Sequence, residues 1–245
     1  MPTLTRPVQP TTQLNLIRQF EIRNDSTCAP LTPALQRLVC FLAFQPSPAR
    51  RTYVSGTLWS DTDEQHARAS LRSALWRLHP LHIVCASSTH LWLDPCVAVD
   101  LRTVSARALA VLRSPPSDEE LVEVARELID VGDNILPGCY EDWVIAERER
   151  FRLIRLQALD RIGELLIRCG RCCDALQVAL AVTQAEPLRE SAHRLLVRVH
   201  LVQGNVAEAI RQYHHYAHIV AAQLNSRPSP IMQALLAPYL PGALP

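Results

Sequence analysis

The sequence predicts a mainly α chain with small β elements: an N-terminal winged helix followed by an all-α tetratricopeptide-like helical domain. Three observations predict it. Between residues 14 and 101 the apolar runs follow the order strands, three helices, hairpin, which is the order of a winged helix. Within that order, Ser60 to Pro80 is a capped amphipathic stretch with arginines on its polar side. Behind it, glycines and small residues recur 34 positions apart, the tetratricopeptide period. At 245 residues the chain is long enough for two cores. The expected domains are residues 12–101 and 102–240.

Residues 1–12 are rich in Pro and Thr and read as loose. Leu14, Leu16 and Ile17 with Phe20 and Ile22 read as one or two short strands, with Arg18 and Arg23 interleaved. Asn24-Asp25-Ser26 reads as a turn. Pro33 to Phe44 is a helix in which Leu38, Cys40, Phe41, Leu42 and Phe44 are too continuous for a surface element. It is the expected buried first helix, ended by Pro46 and Pro48. Arg50 and Arg51 precede Thr52, read as the N-cap of a short helix from Tyr53 to Trp59. Only a brief turn follows.

Asp61 with Glu64 then has the form of a capping box. Ala67, Leu71, Ala74, Leu75 and Leu78 recur at three- and four-residue spacing, and Pro80 stops the helix. The opposite face carries Arg68, Arg72, Ser73, Trp76 and Arg77. After it, His82 to Ala86 and Leu91 to Leu93 flank Ser87-Ser88-Thr89-His90, which reads as a hairpin closed by Asp94-Pro95. Val97 to Leu101 leads on to a helix. Two helices about a short turn, the second basic on its outside, form a helix-turn-helix, and the hairpin is its wing. An arginine-bearing outer face is by itself an ordinary solvated surface. Its neighbours on both sides make it a candidate for insertion in a DNA groove.

Ser114-Pro115-Pro116-Ser117 is the clearest boundary signal, although Leu101 to Leu112 already reads as a helix of the second half. Ser117 or Asp118 caps a helix from Glu119 to Val131. Phe151, Ile154, Ala158, Ile162, Leu165 and Cys169 mark one long amphipathic face ending near Gly170. Gly170 and Gly204, Ala175 and Ala209, Leu176 and Ile210 then repeat at 34 residues. Pro187 opens the helix after the first unit, and Asn225-Ser226-Arg227-Pro228 interrupts before a last helix, Pro230 to Leu236. Such helix pairs stack on one another and offer a curved surface to other proteins.

The segment R-R-T-Y-V-S-G-T-L-W-S-D-T-D-E-Q-H-A-R-A-S-L-R-S-A-L-W-R-L, residues 50 to 78, resembles the DNA-binding segment of the Streptomyces antibiotic regulatory protein family. The L-W before an acidic turn and the A-R-x-x-L-x-x-x-x-x-R-L helix carry the resemblance. Where the family continues with basic residues, this chain has His79-Pro80, so its helix ends early. The outward Trp76 is a second departure. L-P-G-C-Y-E-D-W-V-I-A-E-R-E-R-F, residues 136 to 151, resembles the start of the bacterial transcriptional activator domain, the partner domain of the same family.

The resemblance implies a sequence-specific DNA-binding transcriptional regulator, an activator that binds promoter repeats in double-stranded DNA and recruits RNA polymerase, with a homodimer as a further expected partner. The third helix would read bases through Arg68, Arg72, Ser73, Trp76 and Arg77. Arg50, Arg51 and Thr52, with Ser88 and His90 of the wing, would hold phosphates. The alternative is a tetratricopeptide-type interaction scaffold with a degenerate winged helix.

Composition agrees with a regulator and disfavours an enzyme. There is no lysine, so there is no Walker A loop, and seven scattered glycines give no dinucleotide fingerprint. Net charge is +1, divided as ten Arg against seven Asp and Glu over residues 1–105, with the acidic excess behind. The eight cysteines read as reduced small hydrophobes. C-G-R-C-C at Cys169 is a lone C-x-x-C, and His214 with His218 lacks an intervening Glu in metal-binding register, so neither a metal nor a cofactor is expected. Glu141, Asp142, Glu147 and Glu149 read as a solvated helix start. No apolar run approaches the ~20 residues of a membrane span. The first ten residues lack signal-peptide order, so a cytoplasmic protein is expected.

Overall fold

The computed structural model describes residues 12–24 and 31–239. Residues 1–11, expected to be loose, and Asp25 and Ser26 of the expected turn lie outside them. Two compact units emerge, Met1–Thr103 with Asp133–Glu149, and Val104–Gly132 with Arg150–Pro245. Two of the three divisions fall inside helices, α4 (Asp100–Arg113) and α6 (Asp142–Arg168), and the third falls after Gly132.

In the first unit, β1 (Thr12–Asn15) pairs antiparallel with β2 (Glu21–Asn24), setting Leu14 opposite Ile22. Thr12 is therefore a buried strand residue, not the end of a loose tail. On its other side β1 runs parallel to β6 (Val97–Val99), with Leu14 opposite Val99. Asp100 fixes the end of this sheet by accepting from the backbone N–H of Leu16 at 2.9 Å and of Ile17 at 3.0 Å. Helix α1 (Pro33–Phe44) starts with Pro in its first turn, where no N–H is needed, and buries Leu35, Leu38, Val39, Cys40, Phe41 and Leu42. Its C-terminal end is held by Arg102, which donates to Ala43 O at 2.9 Å, and to Leu42 O and Gln45 O at 3.2 Å. Burial in that position lowers the Arg102 pKa.

Helix α2 is Arg51–Leu58, and α3 is Glu64–Leu78. Two expected caps move. Thr52 lies inside α2, whose N-cap position is Arg50, and the Thr52 carbonyl accepts from Ser55 Oγ at 3.1 Å. Asp63, not Asp61, caps α3, accepting from His66 N at 2.9 Å. Both carboxylates suit a cap, but only Asp63 directly precedes the first helical residue and can reach the third N–H. His66 also holds the Asp63 carboxyl below its usual range, first through that backbone bond and then through its ring. A 3-10 turn over His79–Leu81 follows, and His82 takes a left-handed φ of 52°.

The stretch 133–149 returns to this unit. Ile135 forms a bridge with Ile17, and Leu136 N donates to Leu16 O at 2.9 Å. Arg148 Nε donates to Ile135 O at 2.7 Å. Glu141 accepts from Arg37 of α1 at both oxygens, and from Trp143 Nε1 at 2.7 Å. Burial raises the Glu141 pKa, but the hydrogen bonds from Arg37 and Trp143 outweigh it, and the carboxyl stays below its usual range. Glu141 is thus a clamp rather than part of a solvated helix start. Trp143 stands edge-on to Phe41, with ring centroids 5.4 Å apart, and tilted against Phe44 at 5.7 Å. Such pairs add about 0.5–1.5 kcal/mol beyond area burial.

The second unit carries α5 (Asp118–Val131), α7 (Cys172–Ala185), α8 (Glu190–Val202), α9 (Val206–Leu224) and α10 (Pro230–Leu236), with the rear of α6. Ser117 caps α5. The 34-residue repeat is a repeat of turn chemistry. Gly170 and Gly204 take φ of 74° and 77°, so a residue without a Cβ ends each preceding helix. Arg171 N donates to Leu166 O and Asn205 N to His200 O, both at 2.8 Å. The next helices begin at Cys172 and Val206, again 34 apart, and fully buried Ala175 and Ala209 occupy matching positions. Gly163 acts differently: a Cβ there would meet the end of the Leu195 side chain, which would have to shift. Pro187 lies in the turn before α8, which begins at Glu190. Cys169, expected on the apolar face, is exposed beyond the end of α6 and donates to Asp118 Oδ1 at 3.0 Å. No described helix is long and apolar enough to cross a membrane.

His193 of α8 gives this unit a pH dependence. It is 2% exposed, with Nε2 bonded to Pro187 O at 2.9 Å and Nδ1 to Gln212 Nε2 at 2.7 Å, and it lies 4.5 Å from the Tyr216 ring. Burial lowers its pKa from the ordinary value of 6.5. Below that value the unfolded chain takes up a proton that the folded one resists. Stability therefore falls as pH drops from about 6.5, by at most about 1.4 kcal/mol per pH unit, and levels off below the folded-state pKa. We expect the urea midpoint of the second unit to fall between pH 7 and pH 5.5 and His193→Gln to flatten that fall. A slope equal in both proteins would assign it to other groups.

Candidate nucleic-acid interface

At about 100° per residue, the buried Ala67, Leu71, Ala74 and Leu78 occupy one side of α3. The direction opposite their centre falls on Trp76, which is 79% exposed. Arg72 and Ser73 flank it within about 60°, while Arg68 and Arg77 lie further round the cylinder. All five are exposed. Arg68 is held by an ion pair to Glu64, four residues earlier. Among the described residues, neither Arg72 nor Arg77 has an acidic or hydrogen-bonding partner, and Trp76 has neither a ring contact nor a hydrogen bond. Gln65 and Ala69 share the same outward strip and were missed by sequence reasoning, because neither residue type signals a base contact on its own.

The remaining candidates come together at the wing. β3 (Ala49–Arg50) pairs with β5 (His90–Leu93), placing Arg50 opposite His90, and β5 pairs with β4 (Val84–Ala86). His90 is thus the first residue of a strand and not part of the turn. Arg51 N donates to Thr89 O, and Arg51 Nε to Ser87 O, both at 2.9 Å. The turn is closed by Ser87, whose Oγ accepts from His90 N at 2.9 Å. As a result Arg50, Arg51, Thr52, Ser88, Thr89 and His90 line one shallow concavity. Thr89 was not anticipated: its carbonyl ties the wing to the first residue of α2, and its Oγ1 lies 2.8 Å from His90 Nδ1. Only pairing of the wing with β3 brings it there, and that pairing has no local sequence signal.

Other chemistry finds no comparable support. Among the described residues no three His, Cys, Asp or Glu side chains converge as a metal site. His214 and His218 are exposed on α9, and all seven described cysteines are free.

Comparison with known proteins agrees with this frame. Residues 101–238 match the bacterial transcriptional activator domain. The chain is 26% identical over 229 residues to regulatory protein AfsR of Streptomyces coelicolor, covering 87% of this chain and 22% of that protein. It is also similar in fold to Mycobacterium tuberculosis EmbR, solved in complex with a low affinity phosphopeptide, with a TM-score of 0.74 at 20% identity. That match covers 92% of this chain and 64% of EmbR. The chain thus spans about a fifth of the curated relative and under two thirds of the structural neighbour. With a winged helix in front and the matched domain behind, the chain belongs to the bacterial transcriptional activator domain family.

Proposed function

We propose that the chain recognises a specific sequence in double-stranded DNA through α3 and activates transcription by recruiting RNA polymerase to promoters bearing repeats of that sequence. One observation carries the reading: α3 presents Arg72 on its outward strip and Arg77 further round, and among the described residues neither has an acidic or hydrogen-bonding partner. Guanidinium groups free of acidic neighbours are available to bases and phosphates. Residues 12–101 would supply DNA binding. Residues 102–240 would supply contacts to polymerase or to a second copy of the chain, bound at the adjacent repeat.

In this reading Arg50 and Arg51 hold phosphates, Thr52 and Ser88 add hydroxyls beside them, and His90 lines the same concavity. The two arginines differ. Arg50 has its whole guanidinium available, whereas Arg51 commits its Nε to the wing. Arg50→Ala should weaken binding to all sequences alike and flatten the plot of log affinity against log salt by about 0.9. Arg51→Ala should do the same and also speed amide exchange at the wing residues Ser87 and His90. Selection of sites from randomised duplexes with the intact chain, followed by salt titrations of both variants, tests this. If no sequence is enriched, the chain is a scaffold with a degenerate winged helix. If Arg50→Ala changes the preferred sequence, Arg50 reads bases.

A further inference from the structure

We propose that Trp76 is a specificity-determining residue of α3, reading a thymine 5-methyl group in the major groove. The inference rests on the DNA reading of α3 and adds what that helix prefers.

The first ground is position. Trp76 stands opposite the buried side of α3, so in a helix laid along the major groove its side chain is aimed at the floor, where the base edges lie. The second is that the indole is uncommitted. It is 79% exposed, packs on no other ring among the described residues, and is not needed to hold α3, whose core side consists of Ala67, Leu71, Ala74 and Leu78. The third is space. Ala69 lies on the same strip two turns earlier and Ser73 one turn earlier, so Arg72 is the one long neighbour beside the ring on that flank, and the ring can reach the groove between it and Ser73.

The chemistry then narrows the target. An indole offers one N–H donor and a broad apolar face, and it accepts no hydrogen bond. A face of this kind gains from displacing water off an apolar group, and the apolar group on the major-groove edges is the thymine methyl. Arg72, one turn away, would meet a purine acceptor pair, so the two side chains together would read adjacent base pairs.

The test uses the intact chain and a duplex selected from a randomised pool. Each thymine of the selected site is replaced in turn by deoxyuridine, which keeps the hydrogen-bonding pattern and removes only the methyl. At one position this should weaken the wild-type chain about fourfold, the factor expected for one buried methyl-sized group. It should leave Trp76→Ala unaffected, and Trp76→Phe should keep most of the sensitivity. Because the ring is exposed, both variants should melt like wild type. A Trp76→Ala variant that loses affinity equally on thymine and uracil sites, or that changes only the oligomeric state, would overturn the proposal while leaving DNA binding by α3 standing. A pool that enriches no sequence would remove both.

Discussion

A fragment ending at residue 113 should fail to form the folded front unit, because that unit takes part of its core from residues 133–149. Such a fragment keeps the whole winged helix and stops just before the Pro115-Pro116 break, by sequence alone the natural place to cut. It loses Ile135, Leu136 and Val144, all buried. Burying a large aliphatic side chain stabilises by about 1.5–3 kcal/mol, so three are worth roughly 5–9 kcal/mol. That is comparable to the whole stability of a domain, about 5–15 kcal/mol. It also loses Trp143 from the Phe41 and Phe44 rings and leaves Arg37 without Glu141. The ion pair is partly exposed and contributes little, at most about 1 kcal/mol; the apolar loss decides the outcome. We expect the 1–113 fragment to show no cooperative thermal transition. Residues 1–103 joined to 133–149 by a flexible Gly-Ser linker should regain one. A 1–113 fragment that melts cooperatively, at the temperature of the front unit in the intact chain, would refute this account.

The same stretch marks where the sequence stopped being informative. Helices announced themselves wherever periodicity and punctuation coincided: α1 from its apolar run and Pro33, α3 from its apolar spacing and Pro80 although its cap is Asp63 and not Asp61, and the repeat from paired glycines that need positive φ. Strand partners did not. The parallel pairing of β1 with β6 joins residues about 85 apart, and the bridge from Ile17 to Ile135 joins residues further apart still. Such long-range pairing leaves no trace in a local window. Asp100 and Arg102 look like ordinary residues at a helix start, yet one secures the end of the first sheet and the other the end of α1. Glu141 misled for the reverse reason, since an acidic residue at a helix start has a sufficient local explanation in the helix dipole. For the candidate site, the outward set on α3 was legible because it follows from 3.6-residue periodicity alone. The grouping of Arg50, Arg51 and Thr52 with the wing depends on β3 pairing with β5, and so required the fold.

Replacing Arg72 and Arg77 together by Ala should remove sequence-specific binding while leaving the protein folded. The two arginines should contribute differently. Arg72 lies beside Trp76 on the outward strip and is placed to meet a base edge, where a bidentate Arg–guanine contact supplies about 1–3 kcal/mol of discrimination. Arg77 is rotated about 100° from Trp76, toward one wall of a groove, and is better placed for a phosphate. Its loss should lower the salt slope by about 0.9 and weaken every sequence alike. At fixed salt the double variant should then lose on the order of 10²–10³ in affinity for its selected site. Its residual binding should barely distinguish that site from random DNA. Among the described residues neither side chain has an acidic or hydrogen-bonding partner, and both are exposed, so the thermal transition should stay within about 0.5 kcal/mol of wild type. Leu71→Ala provides the contrast: that residue is 3% exposed, and its truncation should cost about 2–5 kcal/mol of stability, abolishing binding by unfolding the helix instead of disarming it. Affinity measured by anisotropy alongside circular dichroism separates the two cases. An unchanged affinity in a folded Arg72→Ala, Arg77→Ala protein would mean that another surface reads the DNA, since no combination of the remaining contacts on α3 could conceal the loss of both.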